Sequence, residues 1–173
     1  MQILADVFGV THVLNTGVAG SLRAEINIGD IVVSTDAVYH DVDATIFGYA
    51  LGEVPQLGVK SFVADKNMAE AAIASCKKVN PDINVFSGRV ASGDQFIASG
   101  EVKSKIIENF DASCTEMEGA AIAQGAFLNE IPFVIIRAIS DKADDSAEED
   151  YPTFERQAAE HCAKLVEEMV AVL

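Results

Sequence analysis

Short apolar runs alternate along the chain with stretches whose apolar residues recur at helical spacing, and glycine or acidic residues separate the two. Residues 1–9 read as the end of a helix, with Gly9 as its stop. His12 to Asn15 reads as a short buried strand running into a glycine turn at Thr16–Gly20. Gly29-Asp30 signals a turn, after which Ile31–Ser34, continuing to Tyr39, is strongly β-prone. Residues 41–60 carry Gly48, Gly52, Pro55 and Gly58 and read as a long loop, a feature that usually serves function in a compact domain. Asp65 caps a helix over 66–79, with Met68, Ala72, Ile73, Cys76 and Val79 at helical spacing. Val85 to Ser92 is a strand ending at Gly93-Asp94. Residues 101–110 form a short helix, Ala112 to Glu116 a short strand, and Met117 to Leu128 a helix of small residues. Pro132 to Ile139 is an apolar run typical of a buried parallel strand. Residues 142–150 read as an acidic loop. A last helix over 152–172 places Phe154, Ala158, Cys162, Leu165, Met169 and Val172 on one face. The alternation predicts an α/β protein, a three-layer αβα sandwich.

Composition narrows the classes. A chain of 173 residues, half of them apolar, suits one domain over 1–173 with a real core. Twenty-seven Asp and Glu against 12 Lys and Arg leave a net charge of −15. That surface repels phosphate backbones and anionic bilayers, so neither a nucleic-acid nor a membrane partner is expected. Cys76, Cys114 and Cys162 are odd in number and widely spaced, which argues against a disulfide framework or a zinc site. No apolar run approaches the roughly 18 residues of a membrane helix, and the first residues lack the basic segment of a signal peptide. The expected location is cytoplasmic.

Open α/β sheets bind ligands beyond the carboxyl ends of their strands. Four segments end there with polar or glycine-rich residues: Gly17–Gly20, Gly93–Ile97, Glu116–Glu118 and Ser140-Asp141. Gly17-Val-Ala-Gly20 reads either as a close approach of backbone to ligand or as an ordinary tight turn, and it matches neither a dinucleotide fingerprint nor a P-loop. Of Glu116 and Glu118, one can accept hydrogen bonds from substrate hydroxyls. Equally, both can be helix N-terminal acids complementing the macrodipole. Asp141, at the mouth of the most apolar strand, suits a raised pKa and general acid work. His40, Asp41 and Asp43 could be set around a metal, although a polar strand end accounts for them more simply. His161 reads as solvated and Cys114 as core, so no nucleophilic triad is indicated.

Taken together, Asn15-Thr-Gly-Val-Ala-Gly-Ser-Leu22, Gly29-Asp-Ile-Val-Val-Ser34, Tyr39-His-Asp-Val-Asp43, Phe47-Gly-Tyr49, Gly93-Asp-Gln-Phe-Ile97, Glu116-Met-Glu-Gly119 and Arg137-Ala-Ile-Ser-Asp141 occur in an order that resembles the 5′-methylthioadenosine/S-adenosylhomocysteine nucleosidases of the nucleoside phosphorylase superfamily. The resemblance covers nearly the whole chain. It implies hydrolysis of the bond between adenine and a 5′-thio-substituted ribose, without cofactor or metal, by a homodimer whose ligand is a small adenine nucleoside. Asp141 resembles the family's general acid, which protonates the imidazole-ring nitrogen of the departing purine. Glu118 resembles the carboxylate that holds the ribose hydroxyls, and Met117 the residue packed on the sugar. Phe96 resembles the ring stacked on adenine, with Ile97 offering backbone hydrogen bonds and Ala19 and Gly20 forming the wall near the base. Glu116, Arg137 and Ser140 fall in the same motifs. Phe47 and Tyr49 match the pocket for the thioalkyl group, with Tyr151 above it, and Pro55 matches a residue lent across the dimer interface.

Two departures from the family matter. Its phosphorylases hold phosphate with an Arg and a Ser around the glycine segment. Here Asn15 and Val18 stand at those positions, so water is the expected nucleophile. No position matches the family's N-terminal water-activating Glu, and roughly the first third of an ordinary nucleosidase domain has no counterpart. Very slow turnover is the resulting expectation for the chain as it stands. Aminodeoxyfutalosine or 5′-deoxyadenosine as substrate, and a non-catalytic adenine-nucleoside binding fragment, are the alternatives.

Overall fold

The structure, a computed structural model, describes residues 1–171. In chain order the elements are α1 (Gln2–Phe8), β1 (Val13–Ser21), β2 (Ile31–Tyr39), a 3-10 turn (Thr45–Phe47), β3 (Phe62–Val63), α2 (Lys66–Val79), β4 (Val85–Ser92), α3 (Gly100–Phe110), β5 (Cys114–Glu116), α4 (Gly119–Leu128), β6 (Phe133–Asp141) and α5 (Ala147–Val170). Local chemistry accounts for several boundaries. Gly9 closes α1 in the left-handed conformation at φ 60°, which costs glycine little. The Asp65 side chain accepts from the Met68 backbone N–H at 2.9 Å and starts α2.

The six strands run in the order β3-β2-β4-β5-β1-β6, and a further antiparallel pairing of β2 with β6 curls the sheet so that β2, β4, β5, β1 and β6 close a ring. The sheet is mixed: β6 is parallel to β1 but antiparallel to β2. Every residue of β6 is buried. Its alternate faces serve different clusters: Phe133, Ile135 and Ile139 pack with α4, whereas Val134, Ile136 and Ala138 pack with α2 and α5. Helix α3 covers a third cluster with Ile106 and Phe110 against Leu22, Val38 and Ala91. A central sheet flanked by helices is thus the architecture, with the expected sandwich curled by the β2–β6 edge.

Three expectations need correction. Thr16–Gly20 is not a turn: β1 continues through it, paired with β6 from Gly17↔Arg137 to Ala19↔Ile139, with an irregularity at Gly20. Gly20 serves close packing. A Cβ on Gly20 would stand 2.6 Å from Asp141 Oδ1 and 2.8 Å from the Ala143 Cβ. The acidic stretch 142–150 is not all loop, because α5 begins at Ala147 and runs through Pro152. Val172, assigned to the apolar face of that helix, lies outside the described residues. His161 is half-buried, with an Nδ1 shut from solvent.

Candidate active site

Strand ends and one helix meet around a cleft of about 160 Å³. The end of β1 supplies Val18, Ala19 and Gly20. The segment after β4 supplies Gln95, Phe96 and Ile97, and β5 with its following turn supplies Thr115, Glu116, Met117 and Glu118. Ser140 and Asp141 close it from β6, and Tyr151 from the first turns of α5. The four segments singled out in the sequence therefore converge in space. The Phe96 ring, 46% exposed, meets Tyr151 edge-on with ring centroids 5.6 Å apart. Ile97 is buried beneath them.

Asp141 is held on both oxygens. The Ala143 backbone N–H donates to Oδ1 at 2.8 Å and the Ser140 hydroxyl to Oδ2 at 2.9 Å. Ala143 reaches that position with φ 51°, a left-handed conformation unusual for alanine. Burial pushes the Asp141 carboxyl above its ordinary value; the two hydrogen bonds oppose this, and the charges of Asp150 and Asp144 add to it. Both of these carboxylates belong to the segment that leads into α5 and its first turn.

Geometry separates the two glutamates. Glu116 is saturated: it accepts from Gly119 N at 2.8 Å, from the Ser92 hydroxyl, and from Arg137 through Nε at 3.1 Å and through Nη2. Both side chains of this ion pair are 2% exposed, and the guanidinium also donates to Asn15 Oδ1. Glu116 thus takes the helix-terminus role at α4, and its carboxylate is committed to the protein. Glu118, at the N-cap position of α4, makes no capping bond and is exposed. Its carboxylate is the one presented to the cleft.

Not all the expected site residues arrive there. Arg137 lies behind Glu116 and does not line the cleft. Phe47, Tyr49 and Pro55 stand outside it, Phe47 being 80% exposed on the 3-10 turn of a loop that projects from the sheet. His40, Asp41 and Asp43 do not converge. Asp41 accepts from Asp94 N at 2.7 Å, and Asp43 accepts from the Thr45 N–H and hydroxyl. Burial pushes the Cys114 thiol up, as suits a core residue. Gln95 and Thr115 line the cleft as well. Gln95 lies within the Gly93–Ile97 motif, and Thr115 sits in a buried strand of three residues, too short to show a pattern.

Residues 1–171 match the sequence profile of the phosphorylase superfamily, which sets the class of this sheet and cleft. Over 172 residues the chain is 38% identical to the 5′-methylthioadenosine/S-adenosylhomocysteine nucleosidase of Staphylococcus carnosus, covering 99% of this chain and 74% of that one. The solved nucleosidase of Neisseria meningitidis, in complex with methylthio-immucillin-A, superposes with a TM-score of 0.94 at 42% identity over 98% of this chain and 73% of that one. The futalosine hydrolase of Helicobacter pylori superposes with a TM-score of 0.93 at 34% identity over 99% of this chain and 72% of that one. The chain belongs to the 5′-methylthioadenosine/S-adenosylhomocysteine nucleosidase family.

Proposed function

We propose that the chain hydrolyses the N-glycosidic bond of 5′-methylthioadenosine and S-adenosylhomocysteine, giving adenine and the corresponding thioribose. The observation that carries this reading is a buried Asp141, pushed toward its protonated form, in a cleft that also presents Glu118 and, among the described residues, is lined by no Lys or Arg. Adenine is a poor anionic leaving group. Asp141 gives its proton to the imidazole-ring nitrogen as the C1′–N9 electron pair leaves with the base, and water adds to C1′ and loses a proton. Glu118 accepts from the ribose hydroxyls, Met117 packs on the sugar, and Phe96 stacks on the base above Ala19 and Gly20, with the Ile97 backbone at its edge. Ser140 holds Asp141, and Glu116 and Arg137 hold the α4 terminus that carries Glu118.

Residues 1–173 form one nucleosidase-like domain in this reading, cytoplasmic and acting as a homodimer. No described helix is long and apolar enough to cross a membrane. Phe47 and Pro55, exposed here, and the half-buried Tyr49 suit contact with the cleft of a second copy, where they would cover the thioalkyl group. Likeness to a futalosine hydrolase supports aminodeoxyfutalosine as a second substrate of the same cleft.

The test is adenine release from 5′-methylthioadenosine by the purified chain over long incubation, with Asp141→Asn and Glu118→Gln beside it. Asp141→Asn should lower release about 10²-fold or more while adenine still binds. Glu118→Gln should weaken both rate and nucleoside affinity. Unchanged release in Asp141→Asn removes Asp141 from the mechanism. Absence of both adenine release and adenine binding in the unaltered chain overturns the reading as a whole.

A further inference from the structure

Helix α4 starts without help from the side chain at its threshold. Glu118 stands at the N-cap position, where a side-chain oxygen ordinarily accepts from the second or third backbone N–H of the helix, yet it makes no capping bond. Two other side chains take the donors instead. Glu116 accepts from Glu118 N at 3.3 Å and from Gly119 N at 2.8 Å, and the Ser92 hydroxyl accepts from Ala120 N, the second N–H of the helix, at 2.7 Å. A Cβ on Gly119 would stand 2.9 Å from Glu116 Oε1, so glycine at the first helical position leaves room for that carboxylate.

Ser92 reaches the helix from a different strand. It is the last residue of β4 and the parallel partner of Glu116 on β5. Its hydroxyl donates to Glu116 while it accepts from Ala120, so it joins the strand end to the helix through both of its hydrogen-bonding roles. The residue is 1% exposed and does not line the cleft. Its effect on a ligand must therefore pass through α4. The Ala120 donor that would draw Glu118 back onto its own helix is already taken, and the Glu118 side chain lines the cleft.

We propose that Ser92 is a positioning residue for the ribose site: by capping α4 in place of Glu118, it keeps the Glu118 carboxylate turned to the ribose hydroxyls of the bound nucleoside. This inference rests on the adenine-nucleoside reading above. Without the Ser92 hydroxyl the buried Ala120 N–H is left unpaired, a state costly enough to recruit the nearest acceptor. Glu118 is two residues away, at the position from which a side chain reaches that N–H, and the positive end of the helix dipole attracts its charge. A carboxylate drawn onto the helix no longer accepts from the sugar.

The experiment is calorimetric titration of the purified chain with adenine and with the 7-deaza analogue of 5′-methylthioadenosine. In that analogue C–H replaces the imidazole-ring nitrogen that Asp141 would protonate, so the nucleoside survives the titration. The proteins compared are the unaltered chain, Ser92→Ala, Glu118→Ala and the double variant. Ser92→Ala should weaken nucleoside binding about tenfold and leave adenine binding unchanged, because the free base has no ribose. In the Glu118→Ala background, Ser92→Ala should cost no further nucleoside affinity, since no carboxylate remains to be misdirected. Unchanged nucleoside affinity in Ser92→Ala, or the same tenfold loss with Glu118 already removed, overturns the proposal and leaves the adenine reading intact. Equal loss of both ligands in Ser92→Ala assigns Ser92 a purely structural role and likewise overturns it. An unaltered chain that binds adenine but not the nucleoside overturns the proposal alone, and one that binds neither overturns both.

Discussion

Removing the Arg137 guanidinium tests what holds the floor of the cleft together. Arg137→Met keeps the length and apolar body of the side chain but leaves the Glu116 carboxylate, 2% exposed, without its counter-charge. Breaking a buried pair on one side costs about 3–5 kcal/mol. Glu116 retains donors from Gly119 N at 2.8 Å and from Ser92, so the lower end of that range, about 3 kcal/mol, applies. For a chain of this size each kcal/mol moves Tm by about 2–4 °C, which puts the shift at about 6–12 °C. Urea unfolding followed by circular dichroism reads the loss directly. Adding Glu116→Gln removes the stranded charge, and the double variant should recover most of the stability, a coupling that a cycle of single and double variants isolates. A loss below about 1 kcal/mol in Arg137→Met, or a double variant no better than the single, would refute the view that the pair is a tightly coupled buried unit.

Asp141→Asn should change stability in a pH-dependent way. Burial raises the folded-state pKa of Asp141, so the folded chain binds its proton more tightly than the unfolded one. The associated stability is fully present below the unfolded value of about 3.9 and is lost as pH rises through the folded value. The Asn variant escapes that loss, so thermal melts at several pH values should show it gaining on the unaltered chain as pH rises toward neutrality; a difference that stays flat with pH would contradict this. Gly20→Ala should lose about 1–3 kcal/mol and adenine affinity together, because its Cβ would sit 2.6 Å from Asp141 Oδ1 and 2.8 Å from the Ala143 Cβ. Unchanged melting and unchanged titration in that variant would show that the β1–β6 contact is looser than it looks.

Periodicity carried the regular elements well where one physical cause dominated. The Asp65 cap and the apolar face behind it mark α2 at Lys66–Val79, and Val85–Ser92 is β4 to the residue. Errors arose where one residue type serves two purposes. Glycine at 17 and 20 reads as a turn or as a close approach, and in the structure it is Gly20 whose missing Cβ matters: a Cβ there would stand 2.6 Å from Asp141 Oδ1, whereas one on Gly17 would make ordinary contact with the Arg137 guanidinium carbon at 3.7 Å. Pro152 suggested a helix start, yet α5 begins earlier and passes through it near its N-terminus. The convergence of Ser140, Asp141, Glu118 and Phe96 was legible from motifs at strand ends. The division of labour between Glu116 and Glu118 was not, since two carboxylates two residues apart look alike until Arg137, Ser92 and Gly119 are seen to claim one of them. The positions of Asp144 and Asp150 above Asp141 likewise depend on how the α5 entrance folds back, which no local pattern encodes.

Charge placement connects the proposed reaction to the fold. Arg137 is the cation that β6 carries beneath the cleft's Glu116, and Glu116 neutralises it while Asn15 takes up a further donor. What the cleft presents is therefore Glu118 and Asp141, and among the described residues no Lys or Arg lines it. A phosphate dianion entering there would lose hydration and gain no counter-charge. Neutral water meets no such barrier. As the glycosidic bond stretches, the ribosyl group becomes cationic, and a carboxylate at the ribose stabilises that charge more in the transition state than in the ground state. The electrostatic arrangement that turns phosphate away is thus the one that favours a cationic sugar, and both depend on Glu116 keeping Arg137 out of the cleft.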